Sequence, residues 1–347
     1  MCSNTYLCPP SRKSTMKIRH LLLAISITAI WGLNFSVIKL GLTTVDPFIL
    51  AGVRFTLCAL PAIFFIPKPD VQWRYIASYG LVFGIGLWGV VNLGIQSGLS
   101  AGIASLVLQF SAFFTILLGA WTFKEAISRY QIAGMGIALC GLVSIISIVD
   151  GTVTATGLML VLLGALAWSA ANVINKKART TQVFAFLVWS SAFSPIPLFA
   201  LDYAVNGSTG YRELVNQLDY ISVLSILFQV YPNTLFGYWV WNSLLKRYPV
   251  STVAPLSLLV PVFGLFGSAM IFDEEVSLNK IVAVSLIVSG LGVGLYGQRI
   301  LSAMFKRREQ PKCYSSQVEH PTDSAPDTVS VTACLKRTAL LPTGRIS

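Results

Sequence analysis

Trp31, Asn34 and Lys39 stand close together in AIWGLNFSVIKLG (29–41), and Arg54 follows in LAGVRFTL. Two cations and an amide can hold a carboxylate through charge-assisted hydrogen bonds, and an indole can shape an apolar pocket beside them. Gln109, Asn172 and Asn175 add amides. Trp168 and Lys176 repeat the Trp-to-Lys spacing of Trp31 and Lys39, and QVYPNT (229–234) places Gln229, Tyr231 and Asn233 around Pro232. This is chemistry for binding a polar solute, and it lies inside runs that are otherwise apolar. A lysine at the centre of a bilayer costs ~2.5 to 3.5 kcal/mol, so such residues sit near an interface or face a polar interior. Trp31 and Asn34 share a helix face, with Phe35 and Lys39 on an adjoining stripe, and that face is too polar for lipid. Pro232 removes a backbone donor, and the freed carbonyl needs a partner in protein or in a wet cavity.

Plainer roles fit the same residues. Lys39 either lines a solute path or snorkels to headgroups at the end of its run. Arg54, about two turns into the next run, is an anchor for a carboxylate or a tie to helix-end carbonyls. Lys176 with Lys177 suits an inner membrane boundary, the amides suit interhelical glue, and Pro232 suits a simple kink. All acidic residues, Asp46, Glu125, Asp202 and Glu274 among them, fall in loops, tails or the ends of apolar runs, and His20 and His320 lie at or beyond the edges. A relay of buried carboxylates therefore has no obvious residue. HExxH, Walker and GxSxG motifs and paired intramembrane aspartates are also missing. The expectation is a protein that is not an enzyme and uses no metal or cofactor.

The elements that carry these residues follow from composition. The 347 residues are 54% hydrophobic and only 11% charged, too apolar for a soluble chain of this length. The net charge of +11 would suggest nucleic acid in a soluble protein. Here Lys and Arg cluster in short gaps between apolar runs, as membrane topology requires, and a nucleic-acid partner is rejected. The cysteines Cys2, Cys8, Cys58, Cys140, Cys313 and Cys334 have no CxxC spacing and imply no disulfide framework. No small-residue cleavage site follows the first run, which reads as an uncleaved helix.

The sequence predicts an all-α polytopic membrane protein with ten transmembrane helices. They span His20 to Gly41, Pro47 to Ile66, Arg74 to Gln96, Ala101 to Phe123, Tyr130 to Ile148, Ala155 to Asn175, Phe184 to Tyr203, Ile221 to Ser243, Val250 to Phe272 and Ile281 to Leu301. The longest gap, Ala204 to Tyr220, holds Asn206, Gly207, Ser208 and Gly210 and reads as a loop. With a cytoplasmic N-terminus, one side collects Arg12, Lys13, Lys17, Arg19, Arg74, Arg179, Arg247, Arg307 and many others. The opposite loops hold only Arg212 and Lys280. That bias puts both termini in the cytoplasm.

The chain also repeats. Besides the Trp-to-Lys spacing, FKE at 123–125 matches FDE at 272–274, and a Gly-Leu pair follows each at the same distance, at Gly141 and Gly290. The pattern is a duplicated five-helix unit. Because five is odd, the second copy enters from the opposite side, giving two inverted repeats with the substrate near the midplane between them. The predicted organisation is a cytoplasmic tail over 1–18, a first repeat over 19–148, an outer linker over 149–154, a second repeat over 155–301 and a cytoplasmic, disordered tail over 302–347. Gly80 with Gly84, and Gly290, Gly292, Gly294 and Gly297, suit close helix packing.

Three segments carry a family resemblance: WGLNFSVIKLG with LAGVRFTLCALPAIFF, AGIASLVLQFSAFFTILLGAWTFKE, and VAPLSLLVPVFGLFGSAMIFDEE. They resemble the EamA branch of the drug/metabolite transporter superfamily, and within it the bacterial inner-membrane exporters of O-acetylserine and cysteine, over nearly all of residues 20–300. The resemblance implies ten helices in two EamA repeats and export of small amino-acid metabolites from a bacterial inner membrane. It carries over Trp31, Asn34, Lys39, Arg54, Gln109, Asn172 and Lys176 as positions of the family pattern. Tyr231, Pro232 and Asn233 depart from the small residues of that pattern, and the chain past Leu301 has no counterpart in it. The expected partners are an amino-acid-like solute and the bilayer, with room left for a homodimer. The competing function is export of another solute, a drug or a purine, on the same fold. An intramembrane enzyme would lack catalytic groups, and a non-transporting scaffold would leave the repeat unexplained.

Overall fold

A computed structural model describes residues 16–148 and 151–308; residues 1–15 and 309–347 of the expected tails over 1–18 and 302–347, and residues 149–150 of the expected linker over 149–154, lie outside the described residues. Among the described residues every regular element is helical. They are α1 (Ile18–Gly41), α2 (Pro47–Ile63), α3 (Trp73–Gln96), α4 (Ala101–Phe123), α5 (Arg129–Ile146), α6 (Ala155–Ala178), α7 (Val183–Asn206), α8 (Thr209–Gln217), α9 (220–247), α10 (250–272) and α11 (Leu278–Arg308). Of these, 8 are long and apolar enough to cross a membrane. Two of the ten expected spans are weaker: α2 has 17 residues and α9 is interrupted by a polar turn.

Local chemistry sets the ends. Pro47 opens α2 at a position where a missing N–H costs nothing. Ser128 and Gln131 form a capping box at the start of α5, and the Asp219 carboxylate accepts the Ser222 N–H (2.9 Å) at the start of α9. Pro195 breaks α7 into Val183–Ser191 and Pro195–Asn206. Two expectations are corrected. The segment 204–220 is mostly helical rather than a loop. Gly207, at φ 61, ends α7, and the chain resumes as α8, whose Tyr211 and Leu214 pack on the core. The second correction is at the end of α11, which continues past Leu301 to Arg308, so the tail does not start at 302.

The irregularities of the two halves match. A π-helical stretch of 8 residues interrupts α3 at Val82–Gly89, and another of 8 residues interrupts α9 at Gln229–Phe236. In α9 the cause is Pro232, and the Thr234 hydroxyl takes up the Gln229 carbonyl at 2.7 Å. A 3-10 stretch enters α4 at Leu108–Phe110 and α10 at Ala254–Leu259. The middle residues of FKE and FDE, Lys124 (φ 54) and Asp273 (φ 51), both end their helices in the left-handed region.

The chain as far as Gly297 forms one compact unit, and Gln298–Ser347 a second, described only as the helix running to Arg308. Within the first unit α1 packs against α10, α9 and α4, α2 against α7 and α3, and α6 against α3 and α4. Glycine permits the closest approaches. A Cβ on Gly80 would lie 2.1 Å from the Ser190 carbonyl oxygen, and one on Gly134 would lie 2.4 Å from that of Gly290. Phe64, Phe65 and Trp121 are at least 80% exposed, which suits hydrocarbon rather than water.

Candidate functional site

Arg54 lies two turns into α2, and its side chain is 1% exposed. Its Nη2 donates to Thr234 Oγ1 at 3.0 Å, and the guanidinium lies over the Trp88 ring at 4.3 Å. Its Nε and Nη1 have no hydrogen-bond partner. An arginine this deep ordinarily pairs with a carboxylate; among the described residues the salt bridges found involve only Lys39 and Lys176. The two side chains that grip Arg54 both sit in π-helical stretches, Trp88 in α3 and Thr234 in α9. Phe35 of α1 touches the Trp88 ring (centroids 6.1 Å apart), so α1, α2, α3 and α9 meet here. The interior is rich in unmade hydrogen bonds. Both polar atoms of Asn34, Trp88 Nε1, Asn92 Oδ1 and Gln229 Oε1 are buried without partners, and buried polar groups are normally satisfied. Of these groups the Trp88 ring lies against Arg54, and the open N–H groups of the guanidinium are donors suited to a carboxylate.

The expected site residues divide into two groups. Trp31, Asn34, Lys39, Arg54 and Asn233 lie on α1, α2 and α9. The Trp31 Nε1–H donates to the Asn233 main-chain oxygen at 3.1 Å, and its ring packs on Tyr238 and Trp241. Asn233 is buried, whereas Tyr231 on the same stretch is 48% exposed. The second group, Gln109, Trp168, Asn172 and Lys176, belongs to α4 and α6. Asn172 Nδ2 donates to Thr115 Oγ1 at 3.1 Å, which is interhelical glue; Gln109 and Trp168 are half-buried.

Lys39 and Lys176 have matched partners. Lys39 Nζ donates to Glu274 Oε1 at 2.9 Å and lies over Phe272 at 4.2 Å. Lys176 pairs with Glu125 and lies over Phe123 at 4.3 Å. Each lysine lies in the last turn of the first helix of one half, and each acid lies just past the fourth helix of the other, in FDE and FKE. Their surroundings differ. Glu274 is 9% exposed and also accepts from the Ser100 hydroxyl, while both members of the Lys176 pair are 54% exposed. Burial pushes the Glu274 carboxyl up, but hydrogen bonds from Ser100, Lys39 and Ser268 outweigh it and hold the group below its ordinary value. A cavity of 670 Å3 opens at the other end, lined by Asp70, Arg74, Tyr75, Phe123, Lys176 and Arg179. Glu125, Glu274, Trp88 and Thr234 escaped the sequence reading. The FKE and FDE match was the one signal that marked the two acids.

Comparison with known proteins agrees with this layout. The EamA-like transporter family model matches the chain twice, over residues 18–147 and 155–295. A probable amino-acid metabolite efflux pump of Escherichia coli (strain K12) is 39% identical over 283 residues, which is 80% of this chain and 95% of that protein. Its counterpart in Salmonella typhimurium is 37% identical over 284 residues, 80% of this chain and 95% of that protein. An uncharacterized transporter of Bacillus subtilis (strain 168) is 25% identical, covering 79% of this chain and 96% of that one. A solved crystal structure shares the fold, with a TM-score of 0.54 at 20% identity over 81% of this chain and 99% of that chain.

Proposed function

Since the chain belongs to the EamA-like transporter family and is a multi-pass metabolite transporter rather than an enzyme, we propose that it exports amino-acid-like solutes of the cysteine and O-acetylserine type from the bacterial cytoplasm by alternating access. The observation that carries this reading is Arg54: a buried cation with open donors, against an aromatic face, in a region of unsatisfied amides. A solute carboxylate would supply the missing acceptor. Trp31, Asn34 and Asn233 shape the pocket beneath it, and Gln109, Trp168, Asn172 and Tyr231 lie further along the same path.

Alternation follows from the crossed ion pairs. Ten spans, arranged as two inverted five-helix repeats over 19–148 and 155–301 with both termini in the cytoplasm, put Lys39–Glu274 at the outer end and Lys176–Glu125 at the inner end. The outer pair is shielded and the inner pair stands beside an open cavity, as in a state closed outward and accessible from the cytoplasm. The matched π and 3-10 stretches support the duplication.

Two measurements test the reading. Reporters fused at Gly207 give an outer signal and those at Arg179 a cytoplasmic one; a cytoplasmic Gly207 sinks the ten-span arrangement. In proteoliposome counterflow, cysteine and O-acetylserine exchange while purines and uncharged drugs do not. Exchange of purines or drugs alone would favour the other solute class on the same fold.

A further inference from the structure

The outer end of the bundle holds two carboxylates that substrate binding does not use. Asp46 immediately precedes α2, and Asp202 lies in the last turns of α7, fully buried at 0% exposure. Gly210 of α8 brings them to one place. A Cβ built on it would lie 2.5 Å from Asp46 Oδ2 and 2.8 Å from Asp202 Oδ2, so the two oxygens face the same small space. Asp202 Oδ1 is satisfied, because Asn206 Nδ2 donates to it at 3.1 Å. Asp202 Oδ2, which faces Asp46, is buried without a partner.

Among the described residues none donates to Asp202 Oδ2. On α8 the Tyr211 hydroxyl donates instead to the Phe199 carbonyl at 2.6 Å, and Arg212 is exposed. On the α3 side, Leu198 of α7 meets Gly89, which carries no charge. Two ionised carboxylates turned toward one point repel, and a buried oxygen without a donor is costly. One proton between them removes the repulsion and gives Asp202 Oδ2 a hydrogen-bond partner. A divalent metal would want six or more oxygen ligands, and among the described residues no three acidic, His or Cys side chains converge.

We propose that Asp46 and Asp202 form a proton-binding site at the outer end of the transporter, holding one shared proton. On binding, a proton from the outer solution turns one carboxylate into a carboxylic acid, whose O–H donates to the other; on release it returns to solvent. The proton ties the start of α2 to the end of α7, and α2 also carries Arg54. Proton and solute binding are thereby linked through one helix, a link that rests on the function proposed above, whereas the proton site does not.

Infrared difference spectroscopy on the purified full chain reads the proton without transport. The expected result is a carboxylic-acid carbonyl band that persists at neutral pH in the wild type and is absent from Asp202→Asn and from Asp46→Asn. Uniform 13C-aspartate shifts the wild-type band, which assigns it even if a variant fails to fold. A wild-type spectrum with no such band at neutral pH overturns the site. Loss of the band on adding sodium at constant pH and ionic strength also overturns it, in favour of a metal cation. In counterflow, wild-type exchange changes severalfold with outer pH, and the Asp202→Asn profile is flat. A protein that shows the band but no counterflow with any solute keeps the proton site and loses the export reading, so the two failures are distinct.

Discussion

Arg54→Met weakens the apparent affinity for a carboxylate-bearing solute by roughly tenfold to a hundredfold, because a charge-assisted hydrogen bond is worth ~1.5 to 3 kcal/mol. The guanidinium has two nitrogens free to donate and an aromatic wall behind it, so the methionine removes binding without stranding an acidic partner. Abundance in the membrane stays near normal. Arg54→Lys keeps the charge but loses the planar fork and most of the stacking on Trp88, and its loss is intermediate. Kinetics normalised to inserted protein check this. Wild-type values in both variants would remove Arg54 from the solute path.

Lys39→Glu is the second large effect, and it acts on the Lys39–Glu274 ion pair. Placing a carboxylate against Glu274, a shielded acid, forces like charges together. Export falls tenfold or more, in line with the ~3 to 5 kcal/mol typical of breaking a buried pair, reduced here by the partial exposure of Lys39. The exchange of partners, Lys39→Glu with Glu274→Lys, recovers part of the rate. At the exposed Lys176–Glu125 pair Lys176→Met changes little, since exposed ion pairs contribute ~0 to 1 kcal/mol. The sign of the pH dependence is fixed by Glu274. Its folded value is depressed, so the contribution of the pair is complete above the ordinary carboxylate range and is lost as pH falls through the lowered value. Unaltered export in Lys39→Met would return Lys39 to the role of a lysine reaching for headgroups.

Hydropathy and turn chemistry made most of the helices legible. The ends of α4 and α10 fall at the expected residues, because Gly, Ser and charged residues bound those runs sharply. The π stretch in α9 announced itself through Pro232, whereas the one in α3 contains only Gly84, Gly86 and Gly89 among apolar residues and left no such mark. Asn206 to Gly210 looked like a loop because turn residues cluster there; the few residues that follow are amphipathic and too short for a span. The candidate site was half legible. Arg54 and Asn34 stood out as polar residues in apolar runs, but Lys39 looked like a free cation because Glu274 lies 235 positions away. Periodicity carries no information at that range. Burial of Asp202 was equally invisible, since it depends on α8 folding over it.

The two π-helical stretches have a mechanical consequence for the residues they carry. Such a turn accommodates one extra residue, and moving the surplus along the helix by a position swings the side chains it passes through about 100° with little loss of backbone hydrogen bonding. Trp88 and Thr234, the jaws on either side of Arg54, ride on those two turns. A one-residue shift of the π stretch in α3 would withdraw the aromatic floor of the guanidinium, and one in α9 would withdraw its hydroxyl partner, without unwinding either helix.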